Sequence, residues 1–79
     1  MAKLPQVPGE RVARALEHAG WRRGRGGRHA IMMERTDEQG RVVARVPIPM
    51  HGSTPIRPGT LRRIIKLVGL TNDEFTSLL

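Results

Sequence analysis

Between residues 22 and 28 the chain reads Arg22-Arg23-Gly24-Arg25-Gly26-Gly27-Arg28, and His29 follows directly. Glycine lets a backbone come close to a ligand, and each guanidinium offers a two-pronged donor that matches phosphate oxygens. The pattern points to phosphate contact by Arg22, Arg23, Arg25, Gly27 and Arg28. A solvated loop of a basic protein has the same composition, and arginine-glycine tracts are common in RNA-binding tails. A histidine beside four arginines is well placed for phosphodiester chemistry. Cleavage of RNA without a metal needs a base for the 2′-OH proton, an acid for the leaving 5′-oxygen and cations for the charged phosphorane. Imidazole, titrating near pH 6.5 in its free form, can take either proton role. His51, in a loop rich in Pro and Gly, is a candidate RNA contact and assistant to His29. His18 falls late in a predicted helix, where a cation is mildly favourable for structural reasons alone.

The remaining composition narrows the chemistry. The seven acidic residues are scattered, and only Asp37-Glu38 and Asp73-Glu74 are adjacent, the first in a turn and the second at a helix start. A metal-dependent nuclease wants clustered carboxylates as hard oxygen ligands. The absence of cysteine removes thiolate zinc sites, disulfides and a cysteine nucleophile. No metal and no cofactor is therefore expected. Fourteen Lys and Arg give a net charge of +7, which calls for a polyanionic partner, either nucleic acid or an acidic protein surface. One Trp, one Phe and no Tyr leave nothing to stack successive bases, against an RRM or a cold-shock barrel; Trp21 and Phe75 are expected in the core. No apolar run reaches membrane-spanning length, and Met1-Ala2-Lys3-Leu4-Pro5 lacks the apolar region of a signal peptide. The expected location is the cytoplasm, with no membrane partner.

The elements that must position these residues can be read from periodicity. Lys3 to Pro8 reads as an extended leader. A helix from Gly9 through Ala19 places Val12, Ala13, Leu16 and Ala19 on one face, and Gly20 suits its end. Strands are predicted over Trp21–Arg25, Arg28–Arg35 and Arg41–Ile48, with Gly26-Gly27 breaking the first from the second. The turn formers at 36–40 make the last two an antiparallel hairpin. Its two ends would then bring His29 and His51 to one side. Val42, Ala44, Val46 and Ile48 share a face, and Pro47 and Pro49 argue for a strand that ends or lies at an edge. After a loop over Met50–Arg57, Pro58 opens a second helix with Leu61, Ile64, Ile65 and Val68 inward and Arg62, Arg63 and Lys66 outward. Thr71-Asn72-Asp73-Glu74 matches a capping box for a short last helix. The result is one two-layer α+β domain spanning 1–79, with order α-β-β-β-α, a three-stranded antiparallel sheet and helices on one face.

Several of these segments together resemble the HicA mRNA interferase toxins. They are Gly20-Trp21, Gly27-Arg28-His29-Ala30-Ile31, Val46-Pro47-Ile48-Pro49-Met50-His51, Arg57-Pro58-Gly59-Thr60-Leu61-Arg62-Arg63-Ile64-Ile65-Lys66 and Gly69-Leu70. The resemblance covers nearly the whole chain, and the order and spacing of the segments make it specific. It implies a double-stranded-RNA-binding-like fold, metal-independent cleavage of mRNA with His29 as general acid/base, and a HicB-like antitoxin that covers the site. Arg28 departs from the small polar residue usual in that family, and Ala30 from a second histidine; Arg28 adds a phosphate ligand and removes a hydroxyl. The expected function is thus an endoribonuclease toxin. A non-catalytic RNA-binding module is the alternative, and a DNA-binding regulator reading through Arg62, Arg63 and Lys66 is a third.

Overall fold

A computed structural model of the protein describes residues 4–79. Its elements are α1 (Gly9–His18), β1 (Arg22–Gly26), β2 (Ala30–Thr36), β3 (Val42–Pro49), α2 (Pro58–Leu67) and α3 (Asn72–Ser77). The three strands form one antiparallel sheet in the order β1-β2-β3. The expected α+β order therefore holds, with the short helix added at the end. Among the described residues no helix is long and apolar enough to cross a membrane.

Both long helices form as their stripes predict. In α1, Val12, Ala13 and Leu16 are buried, joined by Gly9 and Ala15. Ala19, expected inside, is exposed, because the helix ends at His18 and the chain turns away through Gly20 at φ 96°. In α2, Leu61, Ile64, Ile65 and the following Val68 are buried, while Arg62, Arg63 and Lys66 face outward. The capping box is complete. The Glu74 amide donates to Thr71 Oγ1 at 3.1 Å, and the Thr71 amide to Glu74 Oε1 at 2.8 Å. That start fixes α3, whose Phe75 is fully buried. Met33, Val46 and Ile48 supply the sheet's side of the core, facing Val12, Leu16, Leu61, Ile64 and Ile65, with Trp21 at one border. Arg35 lays its guanidinium over the Trp21 ring, 5.6 Å from the centroid, a favourable cation–π placement.

The strands differ from expectation at their ends. β2 begins at Ala30 rather than Arg28, and Gly26 continues β1 rather than breaking it. A tight turn explains both: the Gly27 amide donates to the Ala30 carbonyl at 2.7 Å, so Arg28 and His29 are lifted off β1. The β1–β2 register shifts between Arg23 and Gly26, as in a bulge beside a turn. At the other end of β2, Asp37 Oδ1 accepts from the Gln39 and Arg41 amides, each at 2.9 Å, closing the predicted turn. β3 runs through Pro47 to Pro49 as an edge strand. The Met50 amide points at β2, donating to the His29 carbonyl at 2.8 Å. Alternation then aims positions 47 and 49 away from β2, where proline's missing N–H breaks no ladder bond.

The leader, within its described part, docks. The Ile56 amide donates to the Val7 carbonyl at 2.9 Å, and both side chains are buried. Lys3, also expected there, lies outside the described residues. Gly9 opens α1 hard against the end of β3, where an added Cβ would run into the Pro49 carbonyl oxygen.

An ion cluster ties β1 to α1. Arg23 donates to both carboxylate oxygens of Glu10, at 2.8 and 2.9 Å, and to Glu17 at 3.2 Å. These bonds hold the Glu10 carboxyl below its usual 4.5 and push the Arg23 guanidinium further up.

Gly9→Ala should destabilise the fold by about 1–3 kcal/mol through backbone overlap. Gly59→Ala, in a helix and with open space around it, should stabilise it by roughly 0.5–1 kcal/mol; urea melts measure both. A depressed carboxyl stabilises fully above its unfolded value, and that contribution is lost as pH falls through its folded value. Glu10→Gln should thus lower stability at neutral pH by at most about 1 kcal/mol, and the gap from wild type should close well below pH ~4.5. Thermal melts across pH check the sign.

Candidate active site

The β2–β3 hairpin puts His29 just before one strand and His51 just after its partner. The 2.8 Å bond from the Met50 amide to the His29 carbonyl extends the ladder one step beyond β2. It leaves the two imidazoles side by side, ring centroids 6.0 Å apart and planes inclined by 31°. Both residues are exposed. Among the described residues neither ring has a hydrogen-bond partner. At that separation both rings can reach oxygens of one phosphate. The sequence-based placement of the two histidines at one end of the hairpin is what the structure shows.

The arginine-rich segment is divided by the pleat of β1. Arg22 and Arg23 point to opposite faces of the sheet. Arg23 is held by Glu10 and Glu17 as described. Arg22 meets Glu34 at 3.5 Å on the open face, and Glu34 also takes Arg45 at 3.2 Å from β3. Glu34, with its side chain only 14% exposed, sits across Gly24, where a Cβ would lie 2.6 Å from its carboxyl carbon. Arg25 and Arg28 are exposed at the hairpin end, and among the described residues no carboxylate pairs with them. Gly27 lends its amide to the turn itself. The structure brings His29 and His51 together, with Gly27 and Arg28 in the adjoining turn and Arg25 near the end of β1, and it engages Arg22 and Arg23 in ion pairs elsewhere. His18 stands apart, its Nδ1 3.3 Å from the Leu78 carbonyl, a structural tie between α1 and the chain's last turn.

Sequence reasoning passed over Arg57 and Thr60. They join His51 and Thr54 in lining a cleft of about 460 Å3. A sharper reading of the loop between His51 and Pro58 could have found Arg57, because that loop has to return from the histidine to α2, where Thr60 lies. Among the described residues no three His, Cys, Asp or Glu side chains gather as metal ligands. The chemistry available is that of two imidazoles and exposed guanidinium groups beside that cleft.

A comparison with curated proteins finds no match. The family model described as the HicA toxin of bacterial toxin–antitoxin systems matches residues 9–70. That stretch runs from the first residue of α1 past the end of α2 and contains the whole sheet and both histidines. The chain belongs to the HicA toxin family.

Proposed function

We propose that this toxin is a metal-independent endoribonuclease that blocks translation by cleaving mRNA in the cytoplasm. The observation that carries the reading is the pair of neighbouring imidazoles, ring centroids 6.0 Å apart, with the exposed Arg25 and Arg28 just before His29 in the chain. His29 is the general acid/base, and His51 contacts the same phosphate from across the hairpin end. A ribose 2′-OH loses its proton to an imidazole as its oxygen attacks the adjacent phosphorus. The bond to the 5′-oxygen breaks, and that oxygen leaves with a proton from an imidazolium. The products are a 2′,3′-cyclic phosphate and a 5′-hydroxyl. Arg25 and Arg28 counter the charge that builds on the phosphorane oxygens, where preformed cations contribute most. Exposure of both histidines suits a strand that docks from solvent, and it leaves the site open to an acidic HicB-like antitoxin that imitates the strand.

RNA incubated with the protein in EDTA should be cleaved, and His29→Ala should abolish cleavage. His51→Ala should slow it by roughly 10²–10⁴-fold if it shares the proton work, and should remove one limb of the pH–rate profile. Intact RNA with the wild type, or equal cleavage by His29→Ala, overturns the proposal in favour of binding without catalysis.

A further inference from the structure

A second cleft adjoins the one beside His51. It has about 450 Å3 and is lined by Arg57, Gly59, Thr60 and Arg63. Arg57 and Thr60 belong to both clefts, so the two adjoin, and only the first reaches His51. Each part has the volume of a small-ligand pocket, enough for about one nucleotide.

The charges along these clefts are not neutralised. Among the described residues, ion pairs engage Arg22, Arg23 and Arg45 but none engages Arg57 or Arg63. Both are exposed, as is Thr60. Arginines that no carboxylate pairs among the described residues thus precede His29 in the chain, at Arg25 and Arg28, and line the clefts from His51 onward, at Arg57 and Arg63. A free guanidinium lining a groove is a bidentate phosphate ligand, and the Thr60 hydroxyl can donate to the same oxygens.

We infer that Arg57, Thr60 and Arg63 form a second phosphate subsite that holds the strand on one side of the scissile bond, so that the substrate is an extended single-stranded RNA of several nucleotides. This rests on the RNA-cleaving reading, because it takes the histidine pair as the seat of the reacting phosphate. A single strand is specified by the chemistry as well. In-line attack by the 2′-OH requires the sugar and phosphate to rotate out of A-form geometry, which a free strand does readily and a duplex resists. Sequential phosphates then occupy sequential cation sites, as in grooves that track a nucleic-acid backbone.

The test uses the full chain carrying His29→Ala, so that binding is read without cleavage. Two probes are compared: a fluorescein-labelled single-stranded RNA of roughly ten nucleotides, followed by anisotropy, and a dinucleoside monophosphate, followed by shifts of the His51 ring signals. Arg57→Gln and Arg63→Gln should each weaken the long probe about tenfold. Each should also reduce the slope of log K against log salt by about 0.7. Arg63→Gln should leave the dinucleoside affinity unchanged, whereas Arg57→Gln should lower it too, because Arg57 also lines the His51 cleft. Loss of affinity for both probes alike in Arg63→Gln, or for neither, overturns the subsite. Tighter binding of an RNA duplex with the same arginine dependence overturns the single strand. Both side chains are exposed, and an unchanged thermal melt shows that folding is intact. Failure of the wild type to cleave RNA would refute the catalytic reading separately, because the binding result does not depend on turnover.

Discussion

Carboxylates are scarce in this protein, seven against fourteen cations, and where they go decides which arginines stay free. Glu10 and Glu17 hold Arg23 and fasten β1 to α1. Glu34 sits between Arg22 and Arg45 and links three strands across the open face. Asp37 and Glu74 serve backbone amides, one closing the hairpin turn and the other capping α3. None of these acids stands beside the histidine pair. The acids thus engage Arg22, Arg23 and Arg45 in the sheet and leave the arginines next to His29 and in the His51 cleft without a carboxylate partner among the described residues.

The histidine pair in turn depends on strand register. His29 and Met50 are matched by the same ladder that pairs Ile31 with Ile48 and Met33 with Val46. Those four residues bring core side chains to the buried face. A slip of one residue would turn Ile48 and Val46 outward and separate the imidazoles in the same step. Burial of the apolar face thus specifies the site, and the buried Ile56 lines the cleft beside His51. Gly9 contributes from the other side, admitting the end of β3 against the start of α1 at a distance no side chain would allow.

Much of this was legible in the chain of residues. Helix stripes, the hairpin turn, the capping box and the meeting of His29 with His51 all follow from local spacing, and the structure reproduces them. The misreadings have physical causes. Ala19 carries the right spacing for the α1 stripe, but the helix stops one residue earlier, so periodicity no longer applies. Gly26 looks like a breaker because bulges have no signature that separates them from turns. Arg23 looks free because its partners, Glu10 and Glu17, lie on another element, and side-chain pairing between elements cannot be read from spacing. Arg57 and Arg63 were passed over as cleft residues for the same reason: a groove is a property of the fold, and the chain places its walls on separate turns.

The two prolines of β3 bear on how such a toxin can be silenced. With Pro47 and Pro49 turned outward, the half of the edge nearest the histidines has no amide to offer. A strand added along that half of the β3 edge would find carbonyl acceptors and no amide donors. Backbone pairing is available only farther along, where Arg45 and the half-exposed Val43 present outward amides. The edge thus sorts two kinds of grip, main-chain recognition at the far end and side-chain recognition over the histidines. On the β3 edge, a strand added from outside finds outward amides only away from the histidines.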